Sequence, residues 1–179
     1  MKSGREVKQH IKWCLKQDRG IKLTEPNDNL CMEYLRKSKS ALNILEASIE
    51  RKEIDWIATT AYYARYFAFY ALLQKCGIKS EIHDCSISAM KYLFVDEEII
   101  EESLHIEMLN AKELRIDTQY YVAADVDIDK IKSESKKAVD FVLKIEESID
   151  KIDEDKRNLL REKLKIEYIS RPKQGSNPC

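Results

Sequence analysis

The chain has 179 residues and is nearly neutral, with 31 Lys and Arg against 32 Asp and Glu. It holds only four glycines and three prolines, and between Pro26 and Pro172 the sole breaker is Gly77. All-β folds place Gly, Pro and Asn at frequent turns, and doubly wound α/β folds need glycine at strand–helix turns and phosphate loops, so both give way to a protein of long helices and few turns.

Hydrophobic residues make up 44% of the chain and charged residues 35%, enough apolar side chains for one core. The balanced charge argues against an obligate nucleic-acid scaffold but leaves room for a local basic patch. The N-terminus mixes charge with Ile11, Trp13 and Leu15 and has no apolar h-region of a signal peptide. The five cysteines, Cys14, Cys31, Cys76, Cys85 and Cys179, are odd in number and include no Cys-x-x-Cys. They read as small core residues in a reducing cytosol rather than as a disulfide framework or zinc ribbon, and a cytoplasmic location is expected.

Taken in chain order, Arg5 to Gln17 reads as a short amphipathic helix with Val7, Ile11, Cys14 and Leu15 near one face, closed by Gly20 at a C′ position. Ile21 to Asn29 reads as loop, and Asn27 or Asp28 can cap the next helix. That helix, from about Leu30 to Arg51, repeats Leu30, Tyr34, Ser38/Ala41, Leu42, Leu45 and Ile49 at three- and four-residue steps. The third, Ile54 to Cys76, has alanines at 58, 61, 64, 68 and 71 on one stripe and Trp56, Tyr63, Phe67 and Tyr70 on another, with Gly77 closing it. A helix apolar nearly all round must be covered by neighbours, so it is the expected centre of the fold. Its segment Trp56 to Gln74 is long enough to span a bilayer. The central Arg65, with two threonines and four tyrosines, argues for a buried helix instead.

After the connection Ile78 to Asp84, Asp84 can cap a helix holding Ile87, Met90, Leu93 and Phe94. Asp96-Glu97-Glu98 suits the positive end of another helix, carried by Ile99, Ile100, Leu104, Met108, Leu109 and Leu114 toward Tyr121. Val122 to Asp127 reads as linker. From about Ile128 to Asp150, Ile131, Ser135, Ala138, Val142, Ile145, Ile149 and Ile152 alternate four- and three-residue steps, a coiled-coil-like seam. Asp153-Glu154-Asp155 can break and restart the helix, and the Pro-containing tail from Arg171 is expected to fray.

Few motifs carry chemistry. His10, His83 and His105 show no His-x-x-x-His or HExxH spacing, and no metal ligand set or cofactor is expected. The acidic run Asp125 to Asp129 starts like an EF-hand loop but has Lys130 and Lys136 where Gly and Glu are required. Walker A, GxGxxG and GxSxG motifs are missing. Arg65, the single charge on the apolar helix, reads as a structural ion pair or as a phosphate contact from a cleft.

The run of Trp56, four residues, Ala61-Tyr62-Tyr63-Ala64, then Phe67 and Tyr70-Ala71-Leu72-Leu73 resembles the signature helix of HEPN domains. The order Gly77, His83, Phe94, Leu114-Arg115 and Tyr120-Tyr121 extends the resemblance over roughly Leu30 to Lys151. It most resembles the small prokaryotic HEPN proteins of the uncharacterised type, which are often encoded beside a minimal nucleotidyltransferase. The resemblance implies an all-α, antiparallel up-and-down bundle of four to five core helices. It divides the chain into an extra N-terminal helix and loop (1–26), the bundle (27–152), a C-terminal helical extension (153–170) and a tail (171–179).

The resemblance also implies a homodimer, RNA or nucleotide as ligand, and a nucleotidyltransferase partner in a toxin–antitoxin-like pair; no membrane association is expected, because Trp56 to Gln74 reads as a buried helix. Many members are metal-independent ribonucleases with an Arg-x4–6-His motif, in which Arg stabilises the scissile phosphate and His acts on the ribose 2′-OH. Here Arg115 matches the arginine, but Tyr120 stands where the histidine belongs, and Tyr is a poor base at neutral pH. Arg5-x4-His10 has the spacing but lies in the added helix. The expected phosphate-binding group is Arg115, Tyr120 and His83, with Arg65 near. Arg115 and Tyr120 are also the candidates for catalysis. A non-catalytic helical interaction module is the alternative.

Overall fold

A computed structural model describes residues 3–120 and 128–169. Among these, seven α-helices pack around a main apolar core and a smaller second cluster at Leu45, Ile57, Ala61 and Ile131: α1 (Gly4–Cys14), α2 (Asp28–Arg51), α3 (Ile54–Lys75), α4 (His83–Ala89), α5 (Glu102–Tyr120), α6 (Ile128–Asp150) and α7 (Glu154–Ile169). The linker expected at Val122 to Asp127, with the start of the EF-hand-like run, and the tail from Arg171 lie outside the described residues.

The α3 helix is the axis. Its faces meet α2, α5 and α6, and residues from Ile57 to Gln74 are buried almost without interruption. The alanine stripe explains the close approach of α2: Ser38 Oγ donates to the Ala64 carbonyl at 2.7 Å, deep between the two helices. The α6 seam lies as the periodicity predicts, with Ile131, Ser135, Ala138, Val142, Ile145 and Ile149 all buried. No described helix is long and apolar enough to cross a membrane. The helices α1 and α7 share the main core through Val7, Ile11, Leu160 and Leu164.

The ends follow local chemistry. Asn27 caps α2 by accepting from the Leu30 N–H at 2.8 Å. Gly77 follows the last residues of α3 with φ +65°, the left-handed conformation that favours glycine at C′.

Several local expectations need correction. The helix α1 ends at Cys14 with Leu15 as its cap, so Gly20 is not its C′ residue. Gly20 packs so close to the Cys14 carbonyl that a Cβ would overlap it. Ile21 to Asn29 is not all loop: Lys22–Leu23 (β1) pairs antiparallel with Ile78–Lys79 (β2). Two-residue strands carry no readable period. Asp84 does not cap α4; Ile82 holds that position, and Asp84 pairs with Lys112. Asp96-Glu97-Glu98 ends a helix rather than starting one. A π-helical turn spans Met90–Val95, and the Asp96 N–H reaches the Lys91 carbonyl at 3.0 Å. Glu98 then turns the chain with φ +54°, and α5 begins only at Glu102. Lys91 gathers Asp96 and Glu102, which explains why these acids lie here.

The cysteine reading is corrected as well. Cys14 and Cys85 form a disulfide between α1 and α4, with Cα atoms 5.6 Å apart. They are separated by 71 residues, so no local spacing announces the pair. Cys31 and Cys76 are free and buried.

Candidate functional site

Tyr62 and Tyr66 stand four apart on α3 and face the start of α4 together. The Tyr62 hydroxyl lies 2.7 Å from His83 Nδ1. The His83 ring stacks on Tyr66, with centroids 4.1 Å apart and planes 8° apart. Tyr66 is held in turn by Ser86, hydroxyl to hydroxyl at 3.4 Å. His83 is thus fixed by two tyrosines at the first residue of α4.

Arg115 reaches the same group from α5. Its guanidinium carbon is 5.3 Å from the Tyr62 ring centroid and 5.8 Å from that of Tyr63. Cations are favoured over aromatic faces by the ring quadrupole. The Arg115 Nε is buried without a hydrogen-bond partner, and no carboxylate among the described residues pairs with the side chain. The nearby acid Asp84 is engaged by Lys112, one turn before Arg115.

The electrostatics keep this group neutral apart from Arg115. Burial, then the Arg115 charge, pushes the His83 pKa below its ordinary value, so the ring is uncharged at pH 7. Burial pushes the Tyr62 and Tyr66 phenols up, and both stay protonated. When the Tyr62 hydroxyl donates to Nδ1, the ring proton sits on Nε2, which is then a donor for a ligand oxygen. A fixed cation, a neutral imidazole and a phenol can hold a phosphate and polarise a hydroxyl beside it.

The four sequence candidates therefore separate. His83 and Arg115 come together through Tyr62. Tyr120 ends α5, and its side chain lies outside the described residues. Arg65 belongs to another group: it is 2% exposed, donates from Nη1 to the Ala61 carbonyl at 3.1 Å and faces Glu107 at 4.0 Å. It also lies 5.9 Å from the Phe141 ring centroid. Burial with these partners matches its structural reading. Gln119, beside Tyr120, donates to Thr59 Oγ1 at 3.0 Å and braces α5 on α3. Sequence reasoning did not assign Tyr62 and Tyr66 to the site. The signal available was their four-residue spacing on a helix that already had enough apolar side chains for its core.

A cavity of about 730 Å³ opens between α1, α4 and α5, and none of Tyr62, Tyr66, His83 and Arg115 lines it. Asp84 and Lys112 line it, with Ser88, Lys91, His105 and Asn110. Such a volume falls in the range of small-ligand sites.

A helical bundle that sets a histidine and an arginine against neighbouring tyrosine rings is the class this geometry defines. Residues 31–152 match the HEPN domain, about two thirds of the chain. The chain belongs to the HEPN domain family. No curated protein matches it.

Proposed function

We propose that the protein binds RNA or a nucleotide through phosphate at Arg115, with His83 and the Tyr62 hydroxyl as adjacent polar contacts. The observation that carries this reading is Arg115 itself. It is a cation over the Tyr62 face, with an unbonded buried Nε and no carboxylate partner among the described residues. An arginine in that state is suited to an anion, and its planar fork fits phosphate. Tyr120 is the further candidate, as a hydrogen-bond donor to the phosphate or as the acceptor of a nucleotidyl group from a nucleotidyltransferase partner.

The chemistry supports binding more than cleavage. The ribonuclease pattern would need a histidine at 120, and His83 comes from a different element. A homodimer, a toxin–antitoxin-like pairing and a cytoplasmic location complete the proposal on family grounds. Arg65 contributes through the core instead of through the ligand.

The test is metal-free binding and cleavage of RNA and nucleotides by the purified chain, with Arg115→Ala and His83→Ala beside it. Retained binding in both variants overturns the site. A second reading, a non-catalytic interaction module, is favoured by Ile44 and Trp56. They are 53% and 59% exposed and line one groove between α2 and α3. Absence of any RNA or nucleotide binding by the wild type would put that reading first.

A further inference from the structure

His10 and Cys14 stand four residues apart on α1, a spacing that places two side chains one above the other. Cys85 reaches the same point from α4. The His10 ring closes on the sulfur, with Nε2 at 3.9 Å and Nδ1 at 4.0 Å from Cys14 Sγ. One donor atom from each of the three residues lies within 4.8 Å of the others. Both cysteines are fully buried.

A second layer orients the histidine. His10 Nδ1 lies 2.6 Å from Ser88 Oγ, one turn beyond Cys85 on α4. When Nδ1–H donates to that hydroxyl, the lone pair is on Nε2. Metal-bound histidines are held in this way, with the far ring nitrogen hydrogen-bonded to fix tautomer and direction. The Trp13 ring stacks on the same imidazole, with centroids 5.5 Å apart, and limits its rotation.

We propose that, once the Cys14–Cys85 bond is reduced, His10, Cys14 and Cys85 bind one zinc ion. This site is separate from the proposed phosphate site and does not depend on it. Zinc takes thiolate at about 2.3 Å and imidazole at about 2.0–2.1 Å, so two thiolates in its tetrahedral shell lie roughly 3.7 Å apart. Opening the disulfide allows that separation. The fourth position falls to water. Two sulfurs and one imidazole select a borderline-soft ion and disfavour Mg²⁺ and Ca²⁺.

The exchange balances with a dithiol as reductant. The dithiol supplies two electrons and two protons, the Cys14–Cys85 bond breaks to two thiols, and the reductant closes its own disulfide. Zinc then binds the two thiolates and releases the two thiol protons. Disulfide and zinc are mutually exclusive ties between the same two helices. One serves under oxidising conditions and the other under reducing ones.

The probe is Co²⁺, followed by Zn²⁺, added to the full chain after reduction with a dithiol and anaerobic desalting. The expected result is one equivalent of Co²⁺ with a thiolate charge-transfer band in the near ultraviolet, bleached by Zn²⁺. The oxidised chain shows no such band. Cys14→Ser with Cys85→Ser abolishes it. Cys31, Cys76 and Cys179 remain in that variant as an internal control. His10→Ala keeps both sulfurs and the disulfide, so it provides a second variant whose folding is less at risk; it weakens Co²⁺ binding at least tenfold. The proposal is overturned if the reduced wild type shows no band, if the double variant keeps it, or if His10→Ala binds as tightly as wild type.

Discussion

Tyr62 and His83 are joined by a 2.7 Å hydrogen bond across the gap between the central helix and the start of α4. The Arg115 charge rests on the other partner's ring. His83 is therefore a histidine whose proton affinity is set by its neighbours. Burial and then Arg115 lower its pKa, so Arg115→Gln raises it toward the free value of 6.5. Proton-detected titration of the imidazole measures the change. An unchanged His83 titration in that variant would separate the two residues.

The same histidine makes stability depend on pH. A folded-state pKa below 6.5 means that the unfolded chain takes up the proton first. Stability is therefore undiminished above pH 6.5 and falls as the pH drops from there through the folded value. His105, buried and near Lys91, shifts in the same direction and adds to the slope. Urea midpoints between pH 7.5 and 5.5 are expected to fall, and to fall less in His83→Asn.

At lower pH Glu167 is one of the carboxylates that contribute. Its carboxylate accepts from the Tyr92 hydroxyl at 2.8 Å and faces Lys8 at 2.8 Å and Lys12 at 3.5 Å. Burial raises its pKa, but the Lys8 and Tyr92 hydrogen bonds and the Lys12 charge outweigh burial and hold it below 4.5. Its contribution is present above about 4.5 and is lost as pH falls through the lowered value. Glu167→Ala is expected to cost about 1–3 kcal/mol at pH 7 by urea unfolding, because the buried Tyr92 hydroxyl loses its acceptor.

Gly77 tests the ribbon that ties the chain before α2 to the chain after α3. At φ +65°, an added Cβ would meet the Thr24 carbonyl at 2.5 Å and the Pro26 nitrogen at 2.8 Å. Gly77→Ala is expected to destabilise by about 1–3 kcal/mol. That is a drop of several degrees in Tm for a chain of this size.

The α2–α3 contact separates hydrogen bonding from packing. Ser38→Ala removes the bond to the Ala64 carbonyl and is expected to cost only about 0.5–1.5 kcal/mol. Ala64→Leu forces methyl groups between helices where Ala64 has no exposed surface, and is expected to cost about 1–3 kcal/mol or more. Equal effects by chemical denaturation would mean that the helices adjust more freely than the alanine stripe implies.

What the sequence disclosed was local and periodic. The α6 seam, the alanine stripe, Asn27 at its cap and Gly77 at its turn each depend on residues a few positions apart, where spacing carries the information. The β1–β2 pair joins segments more than fifty residues apart, and the Cys14–Cys85 bond links residues 71 apart. No period reveals either. The site was half legible. Arg115 and His83 stood out through the family resemblance, whereas the side chain between them, Tyr62, looked like one aromatic among many. Arg65 attracted attention as a lone charge, but a lone charge on an apolar helix is also what a core ion pair with Glu107 requires.

The most direct measurement is the affinity of the metal-free wild type, Arg115→Ala and His83→Ala chains for a short single-stranded RNA and for a nucleoside triphosphate. Salt is held constant, and folding is verified by circular dichroism. Wild-type binding that falls at least tenfold in Arg115→Ala, and by a smaller factor in His83→Ala, is the predicted result. Equal binding by all three folded chains would contradict a phosphate site at Arg115.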